Sequence, residues 1–146
     1  MQRFLGRLRL NGKALSFHPD TLDSLKALGL KFEIGIFEYL NTKHPTNLDS
    51  LFHLAELYTR AGLLEQGLAV DLKLVRLAPD NPTVRYNLAC SYSLLNYLDA
   101  CLTELEIAIE LGYNDAKHMN NDSDLDNVKS SPHFRELLDR LEDLHG

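Results

Sequence analysis

The side chains in this chain best suited to hold a metal or attack a substrate are six histidines (His18, His44, His53, His118, His133 and His145) and two cysteines, Cys90 and Cys101. No two of the histidines stand three or four residues apart, the spacing that places two rings on one helical face, so the sequence predicts no preformed metal site. His-Glu-x-x-His, Gly-x-Ser-x-Gly, a phosphate-cradling glycine loop and Cys-x-x-Cys are all missing from it. Asp122, Asp124 and Asp126 alternate like the start of a calcium loop. The sixth and twelfth positions, however, carry Asn127 and His133 where glycine and a bidentate glutamate belong, so a helix-capping or loop role fits better. His53 stands three residues before Glu56 on one predicted helix, which suggests a weak surface contact. The expectation is a protein with no catalytic residues, no metal and no cofactor.

Composition narrows the class further. With 146 residues, 45% apolar and 25% charged, the chain is long enough to bury one real core. No run approaches the roughly eighteen apolar residues of a membrane span. Met1 to Leu10 holds Arg3, Arg7 and Arg9 without a continuous apolar stretch, so no secretory signal is read there. Cys90 and Cys101 read as small buried hydrophobes of a reducing compartment, and the expected location is cytoplasmic. The net charge of −6 is uneven: 11 basic and 9 acidic residues precede Asp99, and 4 basic and 12 acidic residues follow from it. That balance argues against nucleic acid, whose binding needs a basic face. Its plain reading is a solvated acidic surface.

The elements that must position any site announce themselves by repetition. Displaced by 34 residues, Pro45 falls on Pro79, Asn47 on Asn81, Leu54-Ala55 on Leu88-Ala89, Tyr58 on Tyr92 and Gly62 on Asn96. The pattern predicts helices over 48–61, 64–77, 82–95 and 98–111. Leu51, Leu54, Ala55 and Tyr58 form one apolar stripe at helical spacing. Asn47 and Asn81 are the expected N-caps, and Pro82 suits a first helical position. Gly62 and Asn96 tolerate the left-handed backbone that ends a helix. Ala55 against Gly67, and Ala89 against Cys101, are the expected close crossings within each helix pair.

A 34-residue period with a large-x-x-small-x-x-Tyr core and a closing proline resembles the tetratricopeptide repeat family, specifically over Asn47 to Asp115. The resemblance implies an all-α fold, a right-handed α-solenoid of antiparallel helix pairs, that binds partners rather than transforms substrates. It divides the single domain into an N-terminal arm or hairpin (1–18), a degenerate repeat (19–46), two repeats (48–81 and 82–115) and a C-terminal cap (116–146). In the arm, Asn11-Gly12 suits a hairpin turn in which Leu10 pairs with Lys13, leaving Leu8, Leu10, Leu15 and Phe17 on one face; an irregular lead-in is the alternative. In the degenerate repeat a helix capped by Asp20 or Thr21 and stopped at Gly29 precedes a second helix over about 31–42. In the cap, Ser131-Pro132 opens a last helix with Phe134, Leu137, Leu138, Leu141 and Leu144 on one face. The run Asp124-Leu125, Lys129, Pro132-x-Phe134 resembles the tail that follows the last repeat in many bacterial members.

In the family the first helices of successive repeats line a concave groove for a peptide or partner helix. The inner positions here are Asp49, Phe52, His53, Glu56 and Arg60, then Thr83, Tyr86, Asn87, Cys90 and Ser93. Phe52 and Tyr86 correspond across 34 residues and would form an aromatic ledge, unless they pack under the N-terminal segment and fill the groove from within. Asn87 matches the asparagine with which members often hold a peptide backbone or terminal carboxylate. The basic residues of a carboxylate clamp are missing at the matching positions, which favours apolar or basic ligands over acidic ones. One departure stands out: mid-helix in the first repeat's second helix, where members carry a large apolar residue, this chain has Asp71, while the second repeat has Leu105. The function so implied is a protein–protein interaction module. The alternative is a scaffold that assembles as a homodimer through apolar surface around Phe32, Ile36, Phe37 and Tyr39.

Overall fold

A computed structural model describes residues 7–10, 13–16 and 19–143, with side chains from Pro19 onward. Two short strands, β1 (Arg7–Leu10) and β2 (Lys13–Ser16), pair antiparallel with Leu10 opposite Lys13, the register that an Asn-Gly turn demands. The turn itself, Asn11-Gly12, and Phe17 lie outside the described residues, as do Leu144 and His145. Seven α-helices follow among the described residues: α1 (Pro19–Lys43), α2 (Leu48–Arg60), α3 (Leu64–Leu77), α4 (Pro82–Leu94), α5 (Leu98–Glu110), α6 (Ala116–Asn121) and α7 (Pro132–Asp143). The body is a helical repeat, each helix packed on the next.

The helix ends obey local chemistry. Asn47 Oδ1 accepts from the Ser50 amide at 2.8 Å, and Asn81 Oδ1 accepts from Thr83 at 2.9 Å and Val84 at 3.3 Å. Gly62 (φ +72°) and Asn96 (φ +64°) adopt the left-handed conformation expected of them. Around each, the following amide reaches back to close the turn, Leu63 to the Tyr58 carbonyl at 2.9 Å and Tyr97 to that of Tyr92 at 2.8 Å.

One expectation fails. Gly29 does not end a helix: α1 runs unbroken for 25 residues and starts at Pro19, ahead of the expected caps Asp20 and Thr21. The face that α1 turns to α2 (Leu30, Ile34, Phe37) keeps one helical phase with Leu22 upstream, so a break would have thrown the stripe out of register. A mid-helix glycine costs only about 1 kcal/mol against that burial. The degenerate unit is therefore one long helix, anchored to α2 by Ile34 among Leu54, Leu57 and Tyr58, and by the Tyr58 hydroxyl donating to Glu38 Oε1 at 2.7 Å.

At the opposite end the core is largest. Ala89, Cys101, Leu105 and Ala108 are fully buried together with Met119, Leu125, Phe134, Leu137 and Leu141 of the cap. The polar stretch 114–131 contains α6 and a short 3-10 turn (Ser123–Leu125). Asp115 and Asp122 cap these two, accepting from the His118 amide at 2.8 Å and the Asp124 amide at 3.0 Å. Of the aspartate run, Asp122 serves as a cap, while Asp126 accepts from Lys129 Nζ at 2.6 Å.

Candidate functional site

Between α2 and α4 lies a groove of about 810 Å3, floored by α3 and closed at one end by the segment around α6. Nine of the ten inner positions named above line it: Asp49, Phe52, His53, Glu56 and Arg60 from α2, and Thr83, Tyr86, Asn87 and Cys90 from α4. Ser93 does not. It is fully buried between the lining residues Ser91 and Leu94, and its carbonyl accepts from Asn127 Nδ2 at 2.8 Å, which ties α4 to the cap.

The lining residues divide into fixed and available ones. Tyr86 is fixed: only 4% exposed, it stacks on Tyr113 (centroids 4.4 Å apart, planes 6° from parallel) and donates its hydroxyl to Asp122 Oδ2 at 2.8 Å. Burial, with the carboxylate of Asp122 nearby, holds that phenol far above its ordinary range. The expected aromatic ledge is thereby corrected, because the cap has claimed the Tyr86 ring for the core. Cys90 is also buried; its thiol, pushed up chiefly by burial, is an inert one, and Cys101 is likewise a free, buried thiol. His53 meets Phe37 of α1 ring to ring at 4.5 Å instead of leaning on Glu56. Phe52 and Asn87 remain half-buried, and Asp49, Glu56, Arg60 and Thr83 are exposed.

Several lining residues were not anticipated. Tyr113 and Asp115 come from the end of the second repeat, and His118, Asp122 and Asp124 from the segment beyond it, which carries no periodic signal to place it. Asp71 and Ser91 form the floor. Asp71 is 3% exposed, and its Oδ2 accepts from the Ser91 hydroxyl at 2.5 Å. Of the two outcomes open to a carboxylate at that helix position, rotation to solvent or capture by a partner, the second holds. Burial raises its carboxyl to about 6, the Ser91 hydrogen bond pulling the other way. Its departure from the apolar repeat pattern was the available signal. The rim is acidic throughout: Asp49, Glu56, Asp115, Asp122 and Asp124 join Asp71 against the single guanidinium of Arg60 and the two imidazoles of His53 and His118.

This architecture is that of a tetratricopeptide-like solenoid, a helical repeat fold. Among solved structures, MamA from Desulfovibrio magneticus RS-1 (residues 41 to the end) matches with a TM-score of 0.65 at 18% identity, over 83% of this chain and 70% of that one. A second MamA crystal structure matches at 0.64 and 20% identity, over 87% of this chain and 73% of that one. Among curated proteins, a chloroplastic protein of Arabidopsis thaliana is 41% identical over 58 residues, 40% of this chain. That match covers 17% of the plant protein's length. No protein-family profile matches the chain.

Proposed function

We propose that this chain is a non-enzymatic interaction module that holds a protein or peptide partner in the groove between α2 and α4. The observation that carries this reading is the groove itself: a cavity large enough for several side chains, with Phe52 and Asn87 half-exposed on facing helices. An apolar anchor and an amide able to bind a peptide backbone are what recognition of an extended segment requires. The two buried free thiols suit a reducing compartment such as the cytoplasm, or the plastid that the plant relative's name indicates. Among the described residues no helix is long and apolar enough to cross a membrane.

The test is site-specific photo-crosslinking in native extract, with the photoreactive residue at position 87 in the groove or at position 39 on α1. Partner adducts from 87 but not from 39 support the reading. Adducts from 39 alone, or from neither position, overturn it.

A second reading rests on a different surface. Leu25 (47% exposed), Leu28 (64%), Phe32 (70%), Ile36 (42%) and Tyr39 (61%) form an apolar stripe along the outside of α1. Flanked by Lys26, Lys31 and Lys43 and by Asp23, Glu33 and Glu38, it is self-complementary in charge, as a twofold contact between two copies would need. Sedimentation at micromolar concentration should show a dimer that Phe32→Glu converts to monomer; a strictly monomeric wild type removes this reading.

A further inference from the structure

We infer that the partner's recognised element is a basic side chain, a lysine or arginine on an extended segment, that enters the floor of the groove and pairs with Asp71. The inference deepens the groove reading above and rests on it. Three observations converge on it.

The first is an unfinished hydrogen-bond set. Asp71 is buried on α3 and Oδ2 is engaged by Ser91, yet Oδ1 is buried with no hydrogen-bond partner among the described residues. A buried carboxylate oxygen left so is costly, and a charged donor is the group that satisfies it best. The second is that Asp71 lines the cavity rather than a closed core, so a side chain lying along the groove can approach it. The third is the charge of the walls. The carboxylates of Asp49 and Glu56 on one side and Asp122 and Asp124 at the closed end outweigh Arg60, which is drawn towards Glu33 of α1 at 4.0 Å. A cation is favoured along the whole approach, and an acidic ligand is repelled along it. Phe52 then provides apolar cover for the methylene stem of a lysine or arginine.

A burial that raises the Asp71 carboxyl makes the ligand's effect on it measurable. The full chain is titrated with four acetylated, amidated pentapeptides, alanine throughout except for a central lysine, arginine, norleucine or glutamate. Amide shifts and the 13C resonance of the Asp71 carboxyl are followed by NMR. The lysine and arginine peptides should move the amides of Glu56, Asn87 and Ser91, and should lower the Asp71 midpoint by about one pH unit or more. Asp71→Asn, checked for folding by its melting curve, should weaken the lysine peptide about tenfold or more. Ser91→Ala, which leaves the carboxylate in place, should retain binding. Norleucine binding as well as lysine, an unmoved Asp71 midpoint, or no response to any peptide overturns the inference. The groove reading is decided separately by crosslinks from position 87, so an apolar or acidic partner captured there would sink the basic anchor and leave the groove intact.

Discussion

Tyr86 lies flat on Tyr113 and donates its hydroxyl to Asp122, so one side chain of α4 ties the closed end of the groove to the second repeat. The consequence is that Tyr86 belongs to stability before it belongs to recognition. Tyr86→Ala should cost about 3–5 kcal/mol, the range for removing a buried aromatic ring. Tyr86→Phe should cost only about 1 kcal/mol, because Asp122 keeps the Asp124 amide and the neighbouring His118. Urea unfolding of both variants checks this; a Tyr86→Ala protein as stable as wild type would show that the stack bears little weight.

Asp71 lowers the stability of the fold once it has to ionise. Its ordinary value of 3.8 is raised to about 6 in the folded chain, so folding favours the protonated form. Below about pH 4 both states carry the proton and Asp71 has no effect on the balance. Between about pH 4 and 6 the unfolded chain releases its proton first and stability falls as pH rises, by roughly 3 kcal/mol at completion. The neighbouring ionisable groups of the cavity are Asp49, His53, Glu56 and Arg60 on α2, Asp115 at the end of the second repeat, and His118, Asp122 and Asp124 beyond it; Asp124 is itself raised, mainly by burial. Asp71→Asn should therefore flatten the loss across that window and melt higher than wild type at pH 7. A parallel pH dependence in the two proteins would refute it.

Gly67 faces Ala55, as the repeat spacing implied, but with room to spare. A Cβ there would stand 3.6 Å from Thr59 Oγ1, 3.8 Å from the Ala55 carbonyl oxygen and 3.8 Å from Tyr58 Cβ, ordinary contacts all. Since the residue is mid-helix, Gly67→Ala should stabilise by about 0.5–1 kcal/mol. Gly67→Leu should destabilise, having nowhere to go. Thermal melts of the pair distinguish a close approach from a true steric limit.

Asn96 sits at φ +64°, between α4 and α5, where the first repeat has Gly62. Asn96→Ala should cost about 1 kcal/mol for holding a Cβ residue in the left-handed region, while Asn96→Gly should be neutral or slightly stabilising. Equal melting temperatures for the two variants would contradict this.

The two regular repeats were legible because each local signal spoke for one element: Asn47 and Asn81 for starts, Gly62 and Asn96 for stops, Leu51, Leu54, Ala55 and Tyr58 for the buried stripe. Helix ends fell within one residue of expectation over α2 to α5. Legibility faded where signals competed. Gly29 reads as a stop in isolation, but the in-phase run Leu30, Ile34, Phe37 overrides it through packing on α2. The groove's two walls followed from what the family resemblance implies for the first helix of each repeat. Its closed end did not, since His118 and Asp122 are brought there by the fold of a segment without periodicity. The fate of Tyr86 was hidden too: its partner in the stack lies 27 positions downstream, at the very end of the second repeat, where no matching aromatic in the first repeat announces it.

The ends of the stack are unlike. The last repeat is shut by Phe134, Leu137 and Leu141, whereas the outer flank of α1 presents Phe32 and Tyr39 to water. A twofold contact between two α1 flanks is closed: once they meet head to head, both are consumed. Any association made through α1 therefore stops at a pair, leaving each copy's groove between α2 and α4 free to act in duplicate.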